Sequence, residues 1–299
     1  MITKKLDQYQ PDGGNFPLWL RYEPEQAPGH VHRHEFVELA IITSGNGTHK
    51  TKYSLRGSVI AIPEGGEHVY SETHNMSVFN IIFDPKTLPI PLLDLYTMPG
   101  YNALFMLKES FFSKDHPYPF FNLKGEEIKR VELLLNLMRE ECATQKSGQR
   151  FTLMGLFMAL LSYLSRAYSE EKSIAHMLPL DIGKVISYLS LHYRENIESE
   201  KLIHQCNMSR STFLRNFQRS TGCSPIQYLL KIRISHACRL LLSSDYRISE
   251  IGFTVGFQDQ NYFSRCFKNQ TGMTPREFRQ HHEKPRTQIE SLFRQPQDQ

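Results

Sequence analysis

The chain is poor in cysteine, and its cysteines form no pattern that would stabilise a fold. Five occur among the 299 residues, none of them in a C-x-x-C pair, at Cys142, Cys206, Cys223, Cys238 and Cys266. An odd and scattered set argues against both a disulfide framework and a zinc cluster. We expect these residues to be buried as small apolar side chains.

Long apolar runs are also missing from the sequence. No run reaches the ~18 residues that a membrane-spanning helix needs, and the first residues, MITKKLDQYQ, lack the apolar core of a signal peptide. We therefore expect a cytoplasmic protein that binds no membrane. A length of 299 residues exceeds a single compact core and suits two domains joined by a linker.

Acidic residues are scarce in the C-terminal part of the chain. From residue 182 onward, 17 Lys and Arg stand against 10 Asp and Glu, a net charge of +7, whereas the first 181 residues have 18 against 21, a net charge of −3. The basic part is therefore the part expected to bind a polyanion.

One segment of this basic part occurs twice, fifty residues apart. It reads FLRNFQRSTGCSPIQY at 213–228 and FSRCFKNQTGMTPREF at 263–278. Identical residues in the two copies are those at Phe213, Arg215, Phe217, Thr221, Gly222 and Pro225 and at the positions fifty residues later. Two copies of one local structure indicate two copies of one task.

Each copy has the start and stop signals of a helix. Ser209 and Asp259 are suitable N-caps, and Gly222 and Gly272 stand where a helix ends in a left-handed residue. Ser224-Pro225 and Thr274-Pro275 then open the following helices as capping boxes. Phenylalanines four residues apart are predicted to face the core, which leaves a polar face exposed.

The polar face of each copy suits a DNA groove. Arginine pairs with guanine and asparagine or glutamine with adenine, while Arg210, Arg219 and Lys268 are better placed to hold phosphates. A supporting helix is predicted before each copy, in SEKLIHQCNM and RISEIGFTVGFQ, and a helix from Pro225 to about Leu242 joins the two units. The alternative, a merely solvated helix face, is disfavoured by the repeated caps, the repeated arginine and the local positive charge.

These residues resemble the AraC/XylS family of bacterial transcription regulators over about 182–281, most specifically in IGFTVGFQDQNYFSRCFKNQTGMTPREFR. The resemblance implies two helix-turn-helix motifs joined by a helix. It also implies base contacts from Ser211, Leu214 and Arg215 in the first motif and from Gln260, Asn261, Ser264 and Arg265 in the second. The sequence departs from the family at Ile203 and Gly252, where alanine is preferred, so we expect altered local packing there.

The N-terminal part is predicted to be rich in β-strands between residues 16 and 83. Short apolar runs, VELAIIT, SVIAIP and SVFNIIF, are separated by glycine-containing turns, which favours a sandwich or barrel. Two helical stripes follow, one from Ile128 to Met138 and one from Phe151 to Leu164. Stripes this wide indicate core, although one of them is also a candidate dimer interface.

Histidines are concentrated early in this part. The segments HRHEFVELAIITSG and GSVIAIPEGGEH place His32, His34, Glu38 and His68 at a spacing that resembles the cupin signature, which implies a small β-barrel. In metal-binding cupins these four positions would bind one divalent ion. Hydrogen bonds to a ligand, internal polar pairing and surface exposure are the alternatives.

The segment EHVYSETHNMSVFNIIFDP resembles the rhamnose-responsive branch of the same family, which implies a sugar or similar polyol as ligand. A sugar site combines polar side chains with an aromatic platform. We expect contributions from Trp19, Arg21 and Tyr70, with Phe16 as a further candidate. Trp19 has a core position as its alternative.

The combined prediction is an α+β protein with a cupin-like barrel and flanking helices followed by an all-α DNA-binding domain. The predicted boundaries are 1–168 for ligand sensing and dimerisation, 169–181 for a linker, 182–285 for DNA binding and 286–299 for a flexible tail. The predicted function is that of a homodimeric, sugar-responsive transcription activator without enzymatic activity. The alternatives are a metal-dependent cupin enzyme with an appended DNA-binding domain and a constitutive DNA-binding regulator without ligand.

Overall fold

The computed structural model describes residues 2–5, 16–50, 52–85, 87–88, 94–108, 111–112, 117–144, 146–171, 174–206 and 208–282. The chain divides into two compact units. The first unit comprises Met1–Tyr188 and Ile203–Gly222, and the second comprises Leu189–Leu202 and Cys223–Gln299. The fold class is α+β, as predicted, with a sheet-rich N-terminal part and a helical C-terminal part.

The strands lie in the first unit. They are β1 (Ile2–Lys4), β2 (Leu18–Glu23), β3 (His32–His34), β4 (Val37–His49), β5 (Lys52–Leu55), β6 (Ser58–Ile62), β7 (Glu67–His68), β8 (Tyr70–Phe83) and β9 (Phe120–Asn122). One sheet has the order β1-β3-β7, and the other has the order β2-β8-β4-β6-β9 with β5 paired to β4. The three predicted apolar runs fall in β4, β6 and β8, as expected, whereas the cupin-like barrel stays a prediction.

Side chains alternate between the two faces of the larger sheet. Odd-numbered Leu39, Ile41 and Ile81 belong to the main apolar core, which also contains buried residues of the helices that follow. Even-numbered Ala40 and Val78 belong to a second, smaller cluster. Because the side chains alternate with a period of two, every even-numbered residue in the regular part of β4 and β8 lies on the second face.

Four helices of the first unit follow the strands or interrupt them. They are α1 (Pro99–Phe105), α2 (Glu126–Thr144), α3 (Gln149–Glu170) and α4 (Ile174–Leu191), the last of which continues into the second unit. Val131 and Leu135 of α2 are buried in the core, as the first stripe predicts. The second stripe is wrong at Phe151, which is 87% exposed, because the buried face of α3 begins instead at Leu153 and continues through Phe157.

By length and composition, α3 is apolar enough to cross a membrane, and half of its most apolar stretch is buried within the fold. Leu160, Leu161 and Leu164 of α3 are fully buried in the main core. The apolar character of this helix therefore has a sufficient explanation in the packing of the first unit.

Most described residues of the predicted linker at 169–181 are helical. α3 extends to Glu170, and α4 begins at Ile174 and contains Pro179 within the helix. Leu180 is buried in the main core, so burial of apolar residues stabilises this helical segment. The predicted tail at 286–299 lies outside the described residues.

α1 packs closely against both α3 and α4. A Cβ atom added at Gly100 would lie 1.9 Å from the carbonyl oxygen of Ser165, and one added at Gly183 would lie 2.4 Å from the carbonyl oxygen of Pro99. The side-chain amide of Asn102 donates to the hydroxyl of Ser187 at 2.9 Å. The three helices thus meet with backbone nearly against backbone.

The remaining helices are α5 (Ser199–His204), α6 (Arg210–Thr221), α7 (Pro225–Ser243), α8 (Ile248–Thr254), α9 (Gln260–Thr271) and α10 (Pro275–His282). The predicted caps are confirmed. Ser209 accepts a hydrogen bond from the amide of Thr212, Asp259 accepts one from Tyr262, and both helices end on a left-handed glycine, at φ 80° and 79°. The capping box at Ser224 is complete, and Thr274 and Glu277 form the equivalent pair of bonds.

One of the two departures from the family pattern, Gly252, lies in a closely packed position. Gly252 on α8 is buried, and a Cβ atom there would lie 3.1 Å from the ring of Phe263.

Of the cysteines, Cys206 and Cys223 are buried and the other three are half-buried, all as free thiols. In the first unit, the amide of Lys108 donates to the carbonyl of Ser220 at 2.7 Å, so α6 packs with that unit. The boundaries given for the domains stay predictions.

Candidate ligand pocket and nucleic-acid interface

A cavity of about 320 Å³ lies in the first unit and is lined by polar side chains from both sheets. These include Lys4 of β1, Arg21 of β2, His32 of β3, Glu38 of β4, His68 of β7 and Asn80 of β8. Glu38 and Asn80 face the cavity because they follow the even-numbered alternation of their strands. A volume of this size suits a small ligand.

A buried group of three side chains stands at this cavity. Nε2 of His34 lies 3.4 Å from Oε2 of Glu38, and Nε2 of His68 lies 3.6 Å from the same oxygen. Candidate ligand atoms of all three residues lie within 4.8 Å of one another, and all three side chains are buried. A metal site formed by these residues therefore fits the donor chemistry of two imidazoles and a carboxylate.

His32, predicted as a fourth member, lies at the edge of this group. Its ring centroid is 4.3 Å from that of His68 but 6.5 Å from that of His34. Its Nδ1 lies 3.0 Å from the carbonyl oxygen of His30, and the side chain is only half-buried. The described residues bring His34, Glu38 and His68 together and leave His32 outside the set.

His49 is a neighbour of the group that the sequence patterns missed. Its Nε2 lies 2.9 Å from Nδ1 of His68, and it is buried. His49 is odd-numbered, yet it reaches the face occupied by Glu38, because the pairing of β4 with β8 is irregular between Ile42 and Thr48. Gly45, with φ 64°, lies in this irregular stretch, where a Cβ atom would meet the carbonyl of Asn75 at 2.1 Å.

Four polar atoms at the cavity are buried without a hydrogen-bond partner among the described residues. They are Nε2 of His34, Nε2 of His68, the hydroxyl of Tyr70 and Oδ1 of Asn80. An unsatisfied buried polar atom costs about 1 to 3 kcal/mol. Three of the four belong to residues that line the cavity, and such atoms are suited to contacts with a polar ligand or an ion.

The charge state of this cluster follows from its burial. Burial lowers the pKa of His34 to about 4 and lowers the pKa of His49 well below its ordinary value. Burial alone would raise the pKa of Glu38, but attraction from His68 and the other nearby imidazoles outweighs it and lowers that pKa to about 2. At neutral pH Glu38 is therefore a carboxylate, and His34 and His49 are neutral.

The aromatic residues predicted for the pocket are only partly placed there. Tyr70 lines the cavity, and burial raises its pKa well above the ordinary value. Trp19 shares a strand face with Arg21 and is half-buried beside Ile82 in the strand register. Phe16 was a wrong candidate, because it packs against the main apolar core on the opposite face. Lys4, which sequence analysis missed, lines the cavity, and burial lowers its pKa.

In the first unit, α6 separates an apolar face from a polar face. Phe213 and Phe217 are fully buried. Ser211, Leu214 and Arg215, the predicted base-contacting residues, are all exposed. The helix begins at Arg210, so these residues occupy its first two turns, the part of a recognition helix that reads bases.

In the second unit, α9 repeats this division. Phe263 and Phe267 are fully buried, while Asn261 and Arg265 are exposed and Gln260 and Ser264 are half-buried. The guanidinium of Arg265 lies 6.0 Å from the ring centre of Tyr262, at the outer limit of a cation–π contact.

The predicted phosphate-binding residues are exposed at the two ends of these helices. Arg210 is the first residue of α6, whereas Arg219 and Lys268 lie in the last turns of α6 and α9. A cation in the last turn is also stabilised by the helix dipole. Their position therefore has a structural explanation beside the predicted phosphate contact.

Similar proteins identify the class of this chain. A helix-turn-helix domain family matches residues 202–281. The transcriptional activator RhaR of Enterobacter sp. strain 638 is 27% identical over 286 residues, which cover 93% of this chain and 96% of that protein. A probable AraC family transcriptional regulator from Rhodopseudomonas palustris CGA009 is 25% identical and covers 35% of this chain and 98% of its own, with a TM-score of 0.33. The chain therefore contains a helix-turn-helix domain and is similar over most of its length to a transcriptional activator.

Another similar solved structure is the DNA-binding domain of AdpA, a global transcriptional factor, in complex with a target DNA. It is 32% identical, covers 36% of this chain and 97% of its own, and has a TM-score of 0.34. The matched helix-turn-helix domain spans both α6 and α9 and so contains both copies of the repeat. The protein is a DNA-binding transcription regulator, and its named relatives regulate transcription.

Proposed function

We propose that this chain is an AraC-family transcription activator that responds to a sugar or a similar small polar ligand in the cavity of the first unit. The observation that carries the proposal is the set of unpartnered buried atoms on His34, His68, Tyr70 and Asn80. Hydroxyl groups both donate and accept hydrogen bonds, so a polyol can satisfy the hydroxyl of Tyr70 and the amide oxygen of Asn80. RhaR, the relative that aligns along almost the whole chain, is named as an activator.

Ligand binding changes the activity only if the ligand binds one conformation of the regulator more tightly than another. We propose a homodimer as the working form, in cytoplasm, with each chain presenting both repeats to DNA. Helix α7, with 19 residues, spans about 28 Å at the usual rise per residue and joins the two recognition helices.

The ligand is tested by thermal unfolding of the purified full chain with a panel of monosaccharides that includes L-rhamnose. A specific ligand at about 100 times its dissociation constant stabilises a protein by about 2.7 kcal/mol. We expect one class of sugar to raise the unfolding temperature, and we expect Asn80→Leu to abolish the rise because it removes the free amide oxygen. A uniform response to all sugars, or an equal response in the variant, contradicts this pocket.

Base reading is tested with Arg265→Ala on duplexes selected from a random pool by the unaltered protein. Loss of a bidentate contact to guanine costs about 1 to 3 kcal/mol, or about 5- to 150-fold in affinity for the selected site. Affinity for random DNA is expected to change little. Lys268→Ala is the matched control, since loss of a phosphate contact weakens both kinds of DNA alike and reduces the salt dependence. An equal loss on both DNAs in Arg265→Ala shows that this residue holds a phosphate instead.

A further inference from the structure

The arginine of α9 that is predicted to read a base lies beside an aromatic ring. The guanidinium carbon of Arg265 is 6.0 Å from the ring centre of Tyr262, three residues earlier on the same helix. Residues three apart are neighbours on a helix surface, so this contact is formed within α9 itself. Tyr262 is 43% exposed and therefore shares the solvent-facing side of the helix with the arginine.

Two further contacts hold the ring of Tyr262 in place. Its centre lies 5.9 Å from that of the buried Phe257, in an edge-to-face arrangement. Its hydroxyl is hydrogen-bonded to the thiol of Cys266, one turn further along α9, and this bond raises the pKa of Tyr262. A ring that is held at its edge and at its hydroxyl has one preferred orientation, so it offers the arginine a fixed surface.

The row of contacts continues into the body of the second unit. The guanidinium carbon of Arg233, on α7, lies 5.6 Å from the ring centre of Phe257. The same guanidinium donates hydrogen bonds to the backbone carbonyl oxygens of Tyr193 and Glu195, at 2.6 and 2.7 Å. Cations and rings therefore alternate from this half-buried anchor to the surface of α9.

The corresponding position of α6 has a small side chain. Thr212 occupies the position of Tyr262 at the fifty-residue offset. Its hydroxyl accepts a hydrogen bond at 2.9 Å from the hydroxyl of Ser209, the N-cap of α6. Among the described residues, the arginines that have a ring within cation–π distance do not include Arg215, the counterpart of Arg265.

From these contacts we infer that Tyr262 is a positioning residue that holds the guanidinium of Arg265 for guanine and makes α9 the more discriminating of the two reading helices. The inference rests on the base reading by Arg265 that is proposed above. A ring contacts the face of a guanidinium, whereas the N–H groups that pair with O6 and N7 of guanine lie at its edge. A held arginine loses less conformational freedom when it binds guanine and is less able to turn towards another base.

The base preference of full-chain variants tests this inference. Duplexes with each of the four bases at every position of the selected site give the ratio of the best to the second-best affinity at that position. Arg265→Ala and Arg215→Ala identify the position that each arginine reads, and we expect the higher ratio at the position of Arg265. Tyr262→Thr, which introduces the residue found in α6, should lower that ratio about 2- to 5-fold, the size of an exposed cation–π contact.

Further variants separate positioning from a structural role. Tyr262→Phe keeps the ring and should keep most of the ratio. Tyr53→Thr, at a tyrosine of the first unit that is 61% exposed, should leave every ratio unchanged. The double variant Tyr262→Thr/Arg265→Ala should discriminate no worse than Arg265→Ala alone, because the tyrosine acts through the arginine. A merely structural role instead lowers the affinity for selected and random DNA alike, and circular dichroism with unfolding temperatures shows whether each variant remains folded.

Three results overturn the inference. They are an unchanged ratio in Tyr262→Thr, equal losses in Tyr262→Thr and Tyr262→Phe, and losses that add in the double variant, which would mean that the tyrosine contacts DNA by itself. When Arg265→Ala alters the base preference and Tyr262→Thr does not, base reading stands and only the role of the tyrosine fails. When Arg265→Ala leaves every preference unchanged, base reading by this arginine fails as well.

Discussion

The imidazole of His236 illustrates how a single residue of the second unit couples stability to pH. Its ring stacks on Tyr193 with centroids 3.9 Å apart, and the guanidinium of Arg239 lies 3.1 Å from its Nδ1. Burial, followed by the charges of Arg239 and Arg194, lowers the pKa of His236 from 6.5 to about 4. The folded state therefore binds fewer protons than the unfolded state between these two pH values, and its stability falls as the pH falls through that window.

We expect His236→Phe to keep the stack and to remove this part of the pH dependence. The measurement is the urea midpoint of the full chain at pH 7 and at pH 4.5, where other groups also titrate. The drop between the two pH values should be smaller in the variant than in the unaltered chain. His281→Phe, at an exposed position of the same unit, is the control and should leave the drop unchanged. An equal drop in His236→Phe and in the unaltered chain contradicts the assignment.

Single residues of the candidate pocket were predictable where the strand is regular. The resemblance to the cupin signature named His34, Glu38 and His68. Alternation along the strand would have excluded Phe16, since it packs against the main core together with Leu18 and Leu20. His49 was not predictable, because the irregular pairing of β4 with β8 exchanges the two faces before the strand ends. The sequence around His49 contains no motif that relates it to His68. Nothing in the local pattern therefore indicated that the two side chains are in contact.

At the scale of elements, the close contact of α1 with α3 leads to a sharp prediction. Gly100→Ala places a methyl group 1.9 Å from the carbonyl oxygen of Ser165, so the helices must separate. Overpacking of this kind costs about 1 to 3 kcal/mol or more in the free energy of unfolding. Gly155→Ala on α3 is the control, since nothing lies within 4 Å of the added atom. An exposed helical alanine is favoured over glycine by about 0.5 to 1 kcal/mol.

Thermal unfolding of the two glycine variants checks this contact. Gly100→Ala should lower the unfolding temperature of the first unit, and Gly155→Ala should raise it slightly. Equal and small shifts in both variants would mean that α1 accommodates the methyl group by moving, and that it does not pack tightly between its neighbours.

Helices whose ends are marked by capping residues in the sequence were predicted well, and segments without such local signals were not. The helices α6 and α9 begin and end at the capping residues that the sequence indicated, and α7 begins at its predicted capping box, because a cap satisfies backbone groups within a few residues. The linker at 169–181 stays a prediction, because charge and Pro179 describe only local preference, and Pro179 lies within α4. Burial of Leu180 in the main core depends on distant residues that no local pattern reveals.

At the scale of the whole molecule, the grouping of segments is the least predictable feature. The repeat predicts two equivalent motifs, yet α6 packs with the first unit while α9 belongs to the second. The contact between Lys108 and Ser220 joins residues far apart in sequence, through backbone atoms that carry no sequence signal. The equivalence of the two motifs therefore holds for their caps and faces and not for their surroundings.

Assembly into a homodimer is the remaining prediction at this scale. Leu133 and Leu137 lie one turn apart on α2 and are 61% and 39% exposed, so a partner that covers them removes a continuous apolar strip from water. Burial of a leucine contributes about 1.5 to 3 kcal/mol, so Leu133→Glu/Leu137→Glu should weaken dimerisation at least about 100-fold. Light scattering after size exclusion should show a dimer for the unaltered chain and a monomer for this variant at the same concentration. Leu242→Glu, at an equally exposed leucine of the second unit, should remain dimeric. A double variant that stays dimeric would exclude this face of α2 as the interface, and a monomeric unaltered chain would exclude the homodimer itself.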